Sequence, residues 1–258
     1  MATVLITGAS RGIGQALAVK VAKLGHQVMA VGREKKALEE TQKKNPHHIQ
    51  MVTADVAKSE DRERIVQAML TKTKPFYVVH SAGIMAPIAM IGDVSLTAWQ
   101  QHIATNLEAP FFLTQSLLPH LDGGRVLHLS TGLAHHPLAG MSTYCLSKSA
   151  LFMLYECLRL ELKNRDIAFG SINPGPVDTA MQDKIRHSKS TALPEVKRFI
   201  DMKDQGQLLP PTVVADFMSW LLFEVDKEKF SQNEWDIRDS SHHHFWLKDK
   251  NIIWGARI

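Results

Sequence analysis

The segment Val4-Leu5-Ile6-Thr7-Gly8-Ala9-Ser10-Arg11-Gly12-Ile13-Gly14 passes from an apolar run into a glycine-rich turn. Apolar residues then recur at Ile13, Leu17, Val21 and Leu24, the spacing of one helix face. A strand, such a turn and a helix N-terminus together make an anion site. Glycine tolerates φ > 0 and lets backbone approach a diphosphate closely, and the first helical N–H groups point at the anion along a favourable dipole. The spacing Gly-x-x-x-Gly-x-Gly differs from the commoner Gly-x-Gly-x-x-Gly dinucleotide fingerprint. By itself such a turn also serves as a tight strand-to-helix connection, so its meaning depends on what surrounds it.

Outward from this turn, β-rich runs near 3–7, 27–31, 49–53, 76–80, 125–130, 167–172 and 234–238 alternate with helical patterns near 12–24, 34–44, 59–72, 97–121, 142–164 and 212–224. The alternation predicts an α/β fold: a single Rossmann-like domain over 1–258, with a doubly wound parallel sheet and helices on both faces. Right-handed crossovers put the strands' carboxyl ends along one edge, where ligands bind in such folds. Residues 177–211 contain Pro194, Gly206 and Pro210-Pro211 and form the longest irregular stretch, read as a substrate lid. A tail over about 240–258 follows the seventh strand.

The chain has 258 residues, 45% hydrophobic and 22% charged, ordinary for a globular protein. Its net charge of +4 and pI near 9.0 are too diffuse to argue for nucleic acid. No apolar run approaches the ~20 residues of a membrane span, and a strand starting almost at Met1 leaves no room for a signal peptide. Cys145 and Cys157 are too far apart along a helix to bridge. A reduced, cytoplasmic setting is expected. The His242-His243-His244 run lacks metal-ligand spacing, so no metal is expected.

Tyr144-Cys145-Leu146-Ser147-Lys148 carries the chemistry. Positions i and i+4 share a helix face, so phenol and ammonium lie side by side. A free Tyr ionises near pH 10, and a neighbouring cation is expected to lower that by about 2–3 units, roughly 3–4 kcal/mol. The phenol then exchanges a proton near neutrality, as acid–base catalysis needs. A Tyr-x-x-x-Lys pair alone also decorates surface helices. Here it sits just past the fifth strand, behind a phosphate turn.

Together, Thr7 to Gly14, Tyr144 with Lys148, and Asn173-Pro174-Gly175 resemble the short-chain dehydrogenases/reductases, over about residues 2–240. The chain is similar to the sepiapterin reductase and benzil reductase branch. The resemblance implies a nicotinamide-dependent oxidoreductase. Tyr144 would be the proton donor, Lys148 would hold the nicotinamide ribose, and Asn106 would tie Lys148 to a relay water. Pro110, four residues on, leaves the Asn106 carbonyl without its helical partner. The family's oxyanion serine lies about 13 residues before the tyrosine, which falls on Thr131, with Ser130 one earlier. Neighbours in an extended chain face opposite ways, so only one reaches the site; Thr131 is favoured. His80-Ser81-Ala82-Gly83 departs from the family's Asn-Asn-Ala-Gly and implies altered bracing of the sheet.

For the cofactor, the resemblance places the diphosphate at Gly8, Ser10, Arg11, Gly12, Ile13 and Gly14, with Ala82 and Gly83 alongside. Asp55 and Val56 would border the adenine, and Pro174, Gly175, Val177 and Thr179 the nicotinamide. A NAD site needs an acidic residue at the end of the second strand, but that strand ends Ala30-Val31-Gly32-Arg33, with no carboxylate until Glu34. Arg11 and Arg33 would clamp a 2′-phosphate, which favours NADP(H). The expected function is NADPH-dependent reduction of an apolar ketone or aldehyde: a diketone, an aromatic ketone or a pterin side chain. The alternatives are 3-oxoacyl thioester reduction and a non-catalytic NADP-sensing or scaffold role. His135, His136, Met141, Met181 and Trp220 are pocket-wall candidates, and Asp239 is a candidate substrate anchor by similarity of Asp236-Ile237-Arg238-Asp239 to sepiapterin reductase. A homodimer or homotetramer is expected through the helices near 97–121 and 142–164, with the apolar tail covering a neighbouring subunit.

Overall fold

The computed structural model describes residues 1–247 and 252–254. Seven parallel strands form one sheet in the order β3-β2-β1-β4-β5-β6-β7. They are β1 (Thr3–Thr7), β2 (Gln27–Gly32), β3 (Ile49–Thr53), β4 (Phe76–His80), β5 (Arg125–Leu129), β6 (Ala168–Asn173) and β7 (Trp235–Asp236). The helices are α1 (Gly12–Lys23), α2 (Lys35–Lys43), α3 (Ser59–Leu70), α4 (Leu96–Ile103), α5 (Ala109–Leu117), α6 (Ser142–Glu161), α7 (Ala180–Arg186), α8 (Val196–Asp204), α9 (Pro211–Phe223), α10 (Lys227–Phe230) and α11 (His243–Trp246). This is the doubly wound Rossmann-like arrangement that the alternation predicts.

The period-2 geometry of a strand sorts the core. On β1, Val4 and Ile6 enter a cluster with α1 and α9, whereas Leu5 joins one with α3, α5 and α6. The chain reverses its winding between β1 and β4, which lie side by side. The strand ends there open into a crevice that takes ligands in open α/β sheets.

Four segments differ from the sequence reading. The predicted helix over 97–121 is α4, a π-helical turn over Ala104–Glu108 that holds Asn106, and then α5. Pro110 lacks an N–H, so the ladder widens to an i→i+5 bond from Ala109 N to Ala104 O. Residues 177–211 are ordered by α7 and α8, whose Ile185, Phe199 and Met202 are buried; both helices are too short for their period to stand out. Strand β7 shrinks to two residues because Asp236 turns back to accept from Arg238 N, 2.9 Å away. The tail folds onto its own chain: Trp246 is buried, its Nε1 donates to His242 Nδ1 at 2.9 Å, and Trp254 stacks on His243. The rest of the expected tail, residues 248–251 and 255–258, lies outside the described residues. Among the described residues no helix is long and apolar enough to cross a membrane.

Candidate active site

Two glycines make the floor of the crevice. A Cβ on Gly8 would lie 2.8 Å from Ala82 Cα, and one on Gly14 2.4 Å from the Gly8 carbonyl, so no side chain fits at either. Gly8 and Gly12 adopt φ of +70° and +57°, the left-handed region that favours glycine. The first turn of α1 carries no acidic residue, and its N-cap Arg11 makes no side-chain cap bond. Its leading N–H groups therefore fit a phosphate. Across the crevice, Thr179 Cγ2 would stand 3.3 Å from a Cβ on Gly12, bringing the 174–179 segment opposite the turn. The Thr179 hydroxyl caps α7 at Gln182 N, and Gly175 N donates to Asn173 Oδ1 at 3.1 Å.

Thr7, not Ser81, supplies the bracing. Its Oγ1 accepts from Ser81 N and Ala82 N, both at 3.1 Å, and pins the loop after β4 to the glycine turn. On the adenine side, Asp55 Oδ1 accepts from Ala57 N at 3.1 Å, Arg62 donates to the Val56 carbonyl at 2.9 Å, and Val56 is buried. At the end of β2 the expected arginine clamp takes a different form. Arg11 is ion-paired to Glu34, and both are exposed. A carboxylate thus occupies the guanidinium that a 2′-phosphate would need.

Tyr144 and Lys148 lie one turn apart at the start of α6, both buried. The Thr131 side chain lies beside the Tyr144 phenol and favours its ionised form. Ser130 is buried, and its hydroxyl has no partner among the described residues. Of the two candidates, Thr131 is the one brought to the tyrosine.

The expected acidification of the phenol does not occur here. Burial, with a smaller contribution from Cys145, raises the Tyr144 pKa well above the usual tyrosine value, and the neighbouring Thr131 side chain opposes this only in part. Burial dominates, and the lysine points elsewhere and does not offset it. Lys148 Nζ donates to the Leu129 carbonyl at 2.6 Å and stands 5.8 Å from the Tyr144 ring centre. Burial lowers Lys148 itself to about 8. Desolvation disfavours both charged forms and outweighs the i,i+4 attraction.

Asn106 lies in the π-turn with its side chain fully engaged. Oδ1 accepts from Ile84 N and Nδ2 donates to Ile84 O, both at 2.9 Å. His102 and Ser147, which sequence reasoning passed over, complete this network. Their positions carried a signal: His102 is four residues before Asn106 on a helix, and Ser147 adjoins Lys148.

Around Tyr144, an apolar cluster of Met85, Leu133, Leu138, Met141 and Cys145 meets Ile185, Leu193 and Phe199 from the 177–211 segment, with Met181 packed against it. Trp220 does not belong here; it stacks on His242 and Phe245 beneath the tail, because α9 packs on α1 and away from the crevice. His135 points out to Glu234 at 2.6 Å, and His136 is exposed. Asp239 caps the turn at Ser240–His242 by accepting from Ser241 N at 2.9 Å, so it is engaged as a local anchor. Among the described residues no group of His, Cys, Asp and Glu is arranged to hold a metal ion.

A glycine turn fit for a diphosphate, together with the buried Tyr144 and Lys148 and the half-buried Thr131, matches an oxidoreductase of nicotinamide-binding type. Residues 2–190 match the short chain dehydrogenase profile, and the chain belongs to that family. It is 30% identical over 243 residues to benzil reductase ((S)-benzoin forming) of Bacillus subtilis, covering 91% of this chain and 98% of the relative. The crystal structure of the KRED1-Pglu enzyme superposes with a TM-score of 0.84 at 28% identity, over 91% of this chain and 100% of that one. A 3-ketoacyl-(acyl-carrier-protein) reductase from Brucella melitensis, complexed with NADH, shares the fold with a TM-score of 0.78 at 23% identity, over 92% and 96% of the two chains. The chain is thus an oxidoreductase of the short-chain family, whose members use a nicotinamide cofactor.

Proposed function

We propose that this protein is an NADPH-dependent reductase of apolar ketones or aldehydes, with diketones and aromatic ketones the preferred class. The observation that carries the reading is the Tyr144 phenol, set beside the Thr131 side chain and walled by methionine and leucine side chains. The phenol is protonated across the working range, as a proton donor must be, while its burial opposes release of the proton and leaves the phenolate to be stabilised by its neighbours. When bound, the nicotinamide supplies a hydride to the carbonyl carbon. Tyr144 gives its proton to the carbonyl oxygen, and Thr131 donates to that oxygen as negative charge develops. Lys148, cationic below about 8, steadies the phenolate that remains. Asn106 holds the loop of Ile84 against the π-turn.

Arg11 and Arg33 support the choice of phosphorylated cofactor. Both stand at the end of β2 or in the glycine turn, and Arg11 must release Glu34 to take the 2′-phosphate. The similarity to a benzil reductase supports an aromatic diketone. Self-association is proposed through α5 and α6, where Phe111, Phe112, Leu146, Met153 and Leu160 are exposed.

The test is loss of NADPH absorbance with benzil, simple aromatic ketones and acyl thioesters, with NADH in parallel. Wild type is expected to reduce benzil, and Tyr144→Phe to lose at least about a hundredfold in kcat with NADPH binding retained. Turnover of thioesters alone, cofactor binding with no turnover of any carbonyl, or full activity in Tyr144→Phe would overturn the proposal.

A further inference from the structure

Resting on that reduction, we propose that His102 is a positioning residue. As its neutral Nδ1–H tautomer, it ties Asn106 and the Tyr144–Lys148 face of α6 to the loop after β4. His102 is fully buried at the end of α4. Its Nδ1 lies 2.7 Å from the Ala86 carbonyl, which can only accept, so Nδ1 carries the proton. Nε2 is then an acceptor, 2.8 Å from Asn106 Nδ2 and 3.0 Å from Ser147 Oγ. The ring also stands edge-on to Tyr144, with centres 6.1 Å apart. One imidazole therefore joins the loop of Ile84 and Ala86, the π-turn and α6.

The arrangement tolerates a single protonation state. A proton on Nε2 would face the Asn106 amide, which cannot reverse without losing both bonds to Ile84. Ser147 can turn aside, since its hydroxyl also reaches the Tyr144 carbonyl at 2.9 Å. Asn106 is thus the group that must yield. The titratable groups facing the ring are Lys148 and Tyr144 on α6, while the loop from Ile84 to Pro87 presents no charged side chain. Burial, and to a lesser degree Lys148, oppose protonation; the Ala86 carbonyl favours it. The result is a lock that opens on protonation of Nε2, which burial makes harder than for an ordinary histidine.

The experiment compares His102→Leu and His102→Gln with wild type, using NADPH and benzil across pH 5–8. Glutamine keeps an acceptor near the Nε2 position. His102→Leu should lower kcat at least about tenfold, equivalent to about 1.4 kcal/mol, with the KM for NADPH nearly unchanged. His102→Gln should recover most of kcat and lack the acid fall of the kcat profile, a readout that a merely space-filling role would not move. Long-range 1H–15N spectra of wild type should show the Nδ1–H tautomer at neutral pH, independently of turnover. An Nε2–H tautomer, wild-type kcat in His102→Leu, or an unchanged acid limb in His102→Gln would overturn the proposal. Where His102→Leu fails to fold, His102→Gln and the spectra decide. Wild type inactive on every carbonyl would instead sink the functional reading, leaving the tautomer result intact.

Discussion

Consider replacing His128 with leucine. His128 lies on β5, fully buried, stacked on its register partner His80 with ring centres 5.1 Å apart. Neither ring nitrogen makes a well-formed hydrogen bond, the Gly170 carbonyl being a weak partner. Burial lowers its pKa from 6.5 to about 4, and His80 shifts the same way. For a base depressed on folding, the unfolded chain takes up the proton first. Stability is therefore full above pH 6.5 and falls as pH drops toward the folded value. From these two pKa values, His128 alone removes about 2 kcal/mol by pH 5 and about 3 kcal/mol by pH 4. Leucine has a similar volume and forfeits no strong bond, so at pH 7.5 the variant should stay within about 1.5 kcal/mol of wild type. Urea unfolding at pH 7.5 and pH 5 measures both. The variant should lose about 2 kcal/mol less than wild type between them. Equal losses in the two proteins would refute the reasoning.

Three further outcomes follow from the geometry. Glu34→Gln frees Arg11 from its ion pair, so kcat/KM with NADPH should rise several-fold relative to NADH in steady-state assays; no change in the ratio counts against the clamp. Gly140→Ala places a Cβ 2.0 Å from the Ala192 carbonyl at φ +83°; strain of about 1–3 kcal/mol should lower the melting temperature and raise the KM for bulky ketones as the α7–α8 segment is pushed off. Met153→Glu puts a charge on the exposed face of α6, and sedimentation should show a smaller species than wild type with the fold intact by circular dichroism.

Much of the architecture is legible in the sequence alone. Six of the seven strands fall within one residue of their expected bounds, because buried parallel strands are short apolar runs bounded by turns. The glycine turn was equally plain, since positive φ at Gly8 and Gly12 is a local demand on residue type. Helices α7 and α8 escaped notice because their burial depends on Met85, Leu133 and Leu138, which are distant in sequence.

The alternation of strands and helices, the phosphate turn and the Tyr144–Lys148 pair are properties of the chain read along its length, since period, glycine content and i,i+4 spacing act between near neighbours. The tertiary structure alone decided that Tyr144 is held protonated, that Lys148 turns to Leu129, that Glu34 meets Arg11 and that His102 binds three segments at once. Desolvation and cross-chain hydrogen bonds depend on groups tens of residues apart, and only folding brings those groups within reach of one another.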